Sequence, residues 1–272
     1  HKEYRRQRQM CIRDRCKAEH QQLLADYLFI AECNIGGEAM NDEAIARLNE
    51  IAERRWLRTL PDDVGLSEEE RHRKPASVTL PIEEKLLADK PEHRIERPAS
   101  QIIPKDNPWG FRMEVPTYLY DHGELHNLSI RRGTINDEER YKINEHIIQT
   151  IVMLEKLPFP DTLKRVPEIA VNHHERVDGN GYPRRLTGKQ MSIEAKILAI
   201  ADIFEALTAA DRPYKKGKML SETLDIMRRM SETGHIDRDL FNLFMRAGIY
   251  RHYAKEYMKP EQVDGLEGLD DV

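Results

Sequence analysis

Four residues in the second half of the chain have the types and spacing of a metal site: His146, the adjacent pair His173-His174, and Asp202. His146 sits between Ile143 and Ile147 on an apolar stripe that turns away from Glu139 and Lys142. A single histidine so placed also serves as a hydrogen-bonded core residue. Asp202 stands in the middle of the apolar run Ile197–Leu207, and a carboxylate buried there alone would cost several kcal/mol. It is expected to meet a cation, a strong donor or a metal, and a buried salt bridge would meet the same need. His146 to His173, and His174 to Asp202, are each separated by about one helix and one loop, so three successive antiparallel helices can aim all four side chains at one place in a bundle core. Imidazoles with a carboxylate, and no thiolate nearby, suit iron, manganese or zinc at an open site rather than a structural zinc.

Just beyond, Ala210-Asp211-Arg212-Pro213-Tyr214-Lys215-Lys216 gathers cations at the end of the same apolar run. A solvated helix C-terminus favours such a cluster through the helix dipole. Beside a metal site, the Arg212 guanidinium and the Lys215 ammonium also have the chemistry to bind an anionic phosphate substrate. Phosphodiester hydrolysis by metal-activated water is the reaction class these residues point to.

The elements that position these residues read as helices. Leu23, Leu24, Tyr27, Leu28 and Ile30 have helical spacing within Gln21–Cys33, ending at Gly36-Gly37. Asn41 can cap a second helix with Ile45, Leu48, Ile51, Ala52 and Trp56 on one face. From Pro61 to Pro116 lie eight of the fourteen prolines, broken by a short capped helix at Ser67-Glu68-Glu69-Glu70, and this stretch is expected to wrap the surface as an irregular insertion or arm. Asn136 with Glu139 makes a capping box ahead of Ile143, His146, Ile147, Thr150, Ile151 and Leu154, and Pro158 and Pro160 stop that helix. Pro167 suits the first turn of the next helix, which runs toward Val171 and the histidine pair. Asp178-Gly179-Asn180-Gly181 is a turn, and Ser192 caps the apolar helix through Leu207. Two amphipathic helices follow near Ser221–Met230 and Asp237–Arg246. No strand alternation stands out, so the class is all-α.

The 272 residues allow one large domain or two small ones. No apolar run is long enough to span a membrane, which predicts a soluble, cytoplasmic chain with no membrane contact. Cys11, Cys16 and Cys33 form neither a disulfide framework nor a zinc motif. Residues 1–15 carry a local excess of positive charge that would suit nucleic acid. Met10 to Arg15, MCIRDR, however, reads as the translation of a sequencing adapter, a cloning or assembly scar. Setting that leader aside makes the remainder more acidic than the −5 of the whole chain and removes the case for a nucleic-acid partner.

The run His173-His174-Glu175, Asp178-Gly179-Asn180-Gly181-Tyr182-Pro183, Ala201-Asp202-Ile203-Phe204-Glu205-Ala206-Leu207-Thr208 and Asp211-Arg212-Pro213-Tyr214-Lys215 resembles the HD-GYP family over about residues 115–255. Members are helical, metal-dependent phosphodiesterases that hydrolyse the bacterial messenger cyclic di-GMP, some acting on related cyclic dinucleotides. The resemblance implies an HD-type helical bundle in which His146, His173, His174 and Asp202 are four of the ligands to two or three iron or manganese ions. A metal-bound hydroxide would attack phosphorus, and Arg212 and Lys215 would grip and orient the phosphates. Gly181, Tyr182 and Pro183 correspond to the signature loop, linked in the family to substrate-site shape and to diguanylate cyclase (GGDEF) partners.

The family's His-Asp dyad, followed closely by Gly-Lys, should precede His146, and residues 16–145 do not supply it. Tyr120-Asp121-His122-Gly123-Glu124 has the two in reversed order, with glutamate where lysine would stand. One explanation is a degenerate member that binds nucleotide or partners without turnover. The other, which we favour, is a dyad lost upstream at the adapter junction. On that reading residues 1–15 are scar, 16–115 a helical and Pro-rich insertion region similar to one in some relatives with a Glu-Cys-Asn-x-Gly-Gly run (here Glu32 to Gly37), 116–258 the C-terminal part of the HD-GYP domain, and 259–272 an acidic tail. The chain as given is then expected to bind less metal than the intact site and to hydrolyse little.

Overall fold

The computed structural model describes residues 2–37, 39–75, 78–210 and 217–264, residues 2–6 and 9 by backbone alone. They divide into two units, His1–Ile102 with Pro116–Ile143, and Ile103–Val115 with Asn144–Val272.

In the first unit, helix α1 (Lys2–Ile35) ends where Gly36 takes a left-handed φ of 73° and its N–H reaches the carbonyls of Glu32 and Cys33. Asn41 accepts the Ala44 N–H and opens α2 (Asp42–Ala52), whose Leu48, Ile51 and Ala52 are buried. Arg54 pairs at 2.9 Å with the buried Asp26 of α1. Strand β1 (Arg55–Arg58) then pairs antiparallel with β2 (Ile82–Lys85), Arg55 opposite Lys85 and Arg58 opposite Ile82. Between them, Ser67 and Glu70 form a capping box at α3 (Glu68–Arg73). A second antiparallel pair joins β3 (Arg94–Glu96) to β4 (Tyr118–Asp121), followed by α4 (Glu124–Leu128) and α5 (Asp137–Asn144), the last opened by a box between Asn136 and Glu139.

The second unit is helical. Helices α6 (His146–Leu154) and α7 (Val166–Asn172) bury Ile147, Ile148, Ile151 and Val171 against Phe111. Ser192 opens α8 (Ile193–Thr208), which packs with α9 (Leu220–Glu232), α10 (Arg238–Arg246) and α11 (Ile249–Tyr257) around Ile200, Phe204, Leu220, Met227, Phe241 and Tyr250. Phe204 meets Phe244 and Tyr253 edge-on, with centroids 5.3 and 5.2 Å apart. Each large side chain fully buried here contributes about 1.5–3 kcal/mol.

The helical class holds, and several local expectations change. The Pro-rich stretch contains strands, because backbone pairing is reinforced by ion pairs such as Arg58 Nε to Glu84 at 2.5 Å, an arrangement that no local alternation announces. Trp56 lies on β1, 45% exposed, rather than on the face of α2. The run after Asn136 is divided at Glu145 into α5 and α6, and Ile143 and His146 are exposed instead of lying on one buried stripe. The helix expected over Gln21–Cys33 extends back to Lys2, and α11 is an addition. Helix α8 is not enclosed all round: Ile193 and Ile197 are 63% and 52% exposed, and Asp202 is only half-buried.

Candidate metal centre

Three helices of the second unit bring the sequence-predicted ligands together. His146 is the first residue of α6, His173 is the C-cap of α7 with His174 next to it, and Asp202 lies in α8. His173, His174 and Asp202 each offer one ligand atom within 4.8 Å of the others. His146 Nε2 lies 3.3 Å from His174 Nε2, the two rings nearly perpendicular. Two Nε2 atoms at this distance either share a proton or turn their lone pairs toward one cation.

The protonation states favour ligation. His173 Nδ1 is 2.5 Å from the Ala170 carbonyl oxygen, which can only accept, so Nδ1 is the donor and Nε2 is the nitrogen left for a ligand. Burial, with smaller contributions from His173 and His146, pushes the pKa of His174 down to about 4, leaving that ring neutral near pH 7. Imidazoles with one carboxylate fit a single divalent ion, and the donor types suit iron, manganese or zinc.

A folded-back loop closes over this cluster. Tyr182 donates its N–H to the His174 carbonyl, and its ring stacks on the His174 ring. Burial, then the charge of Asp202, pushes the Tyr182 phenol up to about 12, so it remains a neutral hydroxyl. Gly181 is needed here, since a Cβ would stand 2.3 Å from the Arg176 nitrogen and 2.5 Å from the Glu175 Cα. The buried Glu175 carboxylate accepts the N–H groups of Arg184 and Leu186 at 2.5 and 2.7 Å. Burial raises its pKa, opposed by those amides and the Arg184 charge.

Of the remaining expected residues, Gly181 and Pro183 are buried and Tyr182 is half-buried, whereas Arg212 and Lys215 lie outside the described residues. In the reversed pair of the first unit, Asp121 accepts the Gly123 N–H and pairs with Arg94 at 3.3 Å, while His122 stacks on Tyr120. Sequence reasoning missed the roles of Glu175, Arg184 and Asn172. The available signal was a charged residue lodged between the histidine pair and a Gly-rich turn.

A family model described as HD domain matches residues 81–240. A 3'3'-cGAMP-specific phosphodiesterase of Vibrio cholerae is 36% identical over 146 residues, covering 50% of this chain and 33% of the relative. A cyclic di-GMP phosphodiesterase of Pseudomonas aeruginosa is 45% identical over 87 residues, 31% of this chain and 20% of the relative. One from Thermotoga maritima is 34% identical over 116 residues, 42% of this chain and 31% of the relative. The chain spans about a third or less of the length of these relatives. Among the described residues no helix is long and apolar enough to cross a membrane.

Proposed function

The chain belongs to the HD domain family, in its HD-GYP branch, and from that premise we propose that it carries the divalent-metal site of a cytoplasmic phosphodiesterase acting on cyclic dinucleotides, cyclic di-GMP first among them. The observation that carries this reading is the convergence of His173, His174 and Asp202 within 4.8 Å, with His146 3.3 Å from His174. The names of the relatives, all cyclic dinucleotide phosphodiesterases, support the substrate class.

An iron or manganese ion held by these four residues would supply Lewis-acid activation of water and of a phosphate diester. The chain's own residues do the rest. His173 is fixed in one tautomer by Ala170, His174 is kept neutral by burial, and the Tyr182 ring shields one face of His174 from water. Arg212 and Lys215 are assigned to the phosphate oxygens, where a guanidinium and an ammonium orient and neutralise the anion. A diguanylate cyclase partner would meet the signature loop through exposed Asn180 and Arg185, since Gly181 and Pro183 are buried.

Turnover by this chain is proposed to be low and its metal content below two ions. Residues 16–145 contain no His-Asp followed by Gly-Lys, and the Asp121 carboxylate is already engaged by Arg94 and Gly123. The same observation favours a second reading, a module that senses nucleotide or docks partners without hydrolysis. Manganese and iron titration with elemental analysis of the full chain tests the proposal: about one ion is expected, abolished by Asp202→Ala. Two or more tightly held ions would overturn the low-turnover reading, and an unchanged metal content in Asp202→Ala would overturn the site. Hydrolysis of cyclic di-GMP by the loaded chain would exclude the non-catalytic module.

A further inference from the structure

We infer that Glu175 is a positioning residue that sets the His174 ring through the loop carrying Tyr182. The inference rests on the metal reading above for its functional meaning, and on geometry for its substance. Glu175 directly follows the histidine pair, is 2% exposed, and is absent from the group of converging ligand atoms. Its two carboxylate oxygens are instead divided between the Arg184 and Leu186 N–H groups, on the far side of the signature loop. Gly181 lets the chain turn back directly onto Glu175, since its missing Cβ would collide with Glu175 and Arg176 backbone.

The loop so fastened acts on the histidines from both ends. On one side Tyr182 donates its N–H to the His174 carbonyl and lays its ring on the imidazole. On the other, the Arg184 guanidinium donates to Asn172 Oδ1, on the buried last residue of α7 just before His173, and to the Trp109 carbonyl. Removing the Glu175 carboxylate leaves two amide donors of this loop without their acceptor in a buried place, a cost that displacement of the loop relieves. Displacement takes Tyr182 off His174, so Glu175 tunes a candidate ligand it does not touch, as outer partners of metal-bound histidines do.

The test uses the full chain with ring-labelled histidine. The His174 ring-proton signal, assigned by its loss in His174→Gln, is read in the wild type and in Tyr182→Leu, where the ring current of the stacked phenol is gone. Glu175→Gln retains size and one acceptor but turns an amide NH2 toward the second donor. It is expected to move the His174 signal at least halfway toward its Tyr182→Leu position and to weaken manganese binding about tenfold. Phe241→Leu, which loosens the α8–α11 core, is the control for a general loss of stability and should leave the signal in place. A His174 signal unmoved in Glu175→Gln, with a fall in melting temperature like that of Phe241→Leu, would overturn the inference and leave Glu175 a structural residue. Should Glu175→Gln not fold, Glu175→Asp, which shortens the reach to both amides, carries the same comparison. If the wild type binds no manganese, the metal reading fails by itself and the ring-proton shift still decides the role of Glu175.

Discussion

The ring of Tyr182 lies over the ring of His174, with centroids 4.9 Å apart and planes 21° from parallel. Through this contact the signature loop touches the metal candidates by a side chain, in addition to the backbone bond from the Tyr182 N–H to the His174 carbonyl at 3.2 Å. A stacked aromatic excludes water from one face of the imidazole and restricts its rotation, so the ring of this candidate ligand is held in one orientation.

Tyr182→Phe should therefore behave differently from Tyr182→Leu. Phenylalanine keeps the stack and loses only a hydroxyl that stays neutral to about pH 12. Metal content and affinity in Tyr182→Phe are expected to match the wild type, whereas Tyr182→Leu should bind manganese several-fold more weakly, on the order of tenfold. Calorimetric titration of both variants checks this, and equal affinities would remove the stack from the account of the site.

Gly181→Ala should be costly for a reason that Gly37→Ala does not share. A Cβ at 181 meets backbone atoms at 2.3 to 2.6 Å, and backbone cannot swing aside as a flexible side chain can. Nothing lies within 4 Å of a Cβ at 37. Urea unfolding is expected to show a loss of about 1–3 kcal/mol for Gly181→Ala and of no more than about 0.5 kcal/mol for Gly37→Ala.

Local signals in the sequence were read where the physics is local. The caps at Asn41, Ser67-Glu70, Asn136-Glu139 and Ser192 need only neighbours three residues away, and each stands in the structure. The sheets were illegible because β2 and β3 are short and charged, and β1 with β2 depends on Arg58 meeting Glu84 across 26 residues. The convergence of His146, His173, His174 and Asp202 was legible from residue type and helix spacing. Their exposure was not, since the apolar composition of α8 does not tell which of its sides other helices cover, and Ile193 and Ile197 remain open. The return of the loop from Glu175 to Arg184 and Leu186 was equally hidden, being a contact between side chain and backbone.

His235, which is not one of the metal candidates, gives the second unit an acid-sensitive element. Burial, then the Arg176 charge, lowers its pKa below 6.5, with Asp178 opposing. Its carbonyl and that of Gly234 accept the N–H groups of Val177 and Asp178, so it underlies the start of the signature loop. A folded-state pKa below the unfolded one means that, as pH falls under about 6.5, the unfolded chain takes up a proton that the native chain refuses. Stability is then full above about 6.5 and declines as the pH drops toward the native value. Melting temperatures between pH 7.5 and 5 should show this fall, with a shallower slope in His235→Gln, and identical slopes would dismiss the effect.

Asp237 joins two jobs that substitution can separate. It caps α10 by accepting the Asp239 and Leu240 N–H groups, and it pairs at 3.0 Å with Lys196 of α8, the helix that carries Asp202. Burial would raise its pKa, but the Lys196 bond and the cap amides outweigh that and hold it below the usual range. Asp237→Asn retains a capping oxygen and loses the charge pair, whereas Asp237→Ala loses both. Asp237→Ala is expected to cost about 1–2 kcal/mol at pH 7, and Asp237→Asn less. A carboxylate whose folded pKa is depressed stabilises above its unfolded value and ceases to do so as the pH falls through the folded one. The difference between wild type and Asp237→Ala should accordingly hold from neutral pH to about 4 and shrink below it. Denaturant midpoints measured at pH 7, 4 and 3 would show this, and a constant difference would mean that the Asp237 charge, whether toward Lys196 or toward the cap amides, contributes nothing to stability.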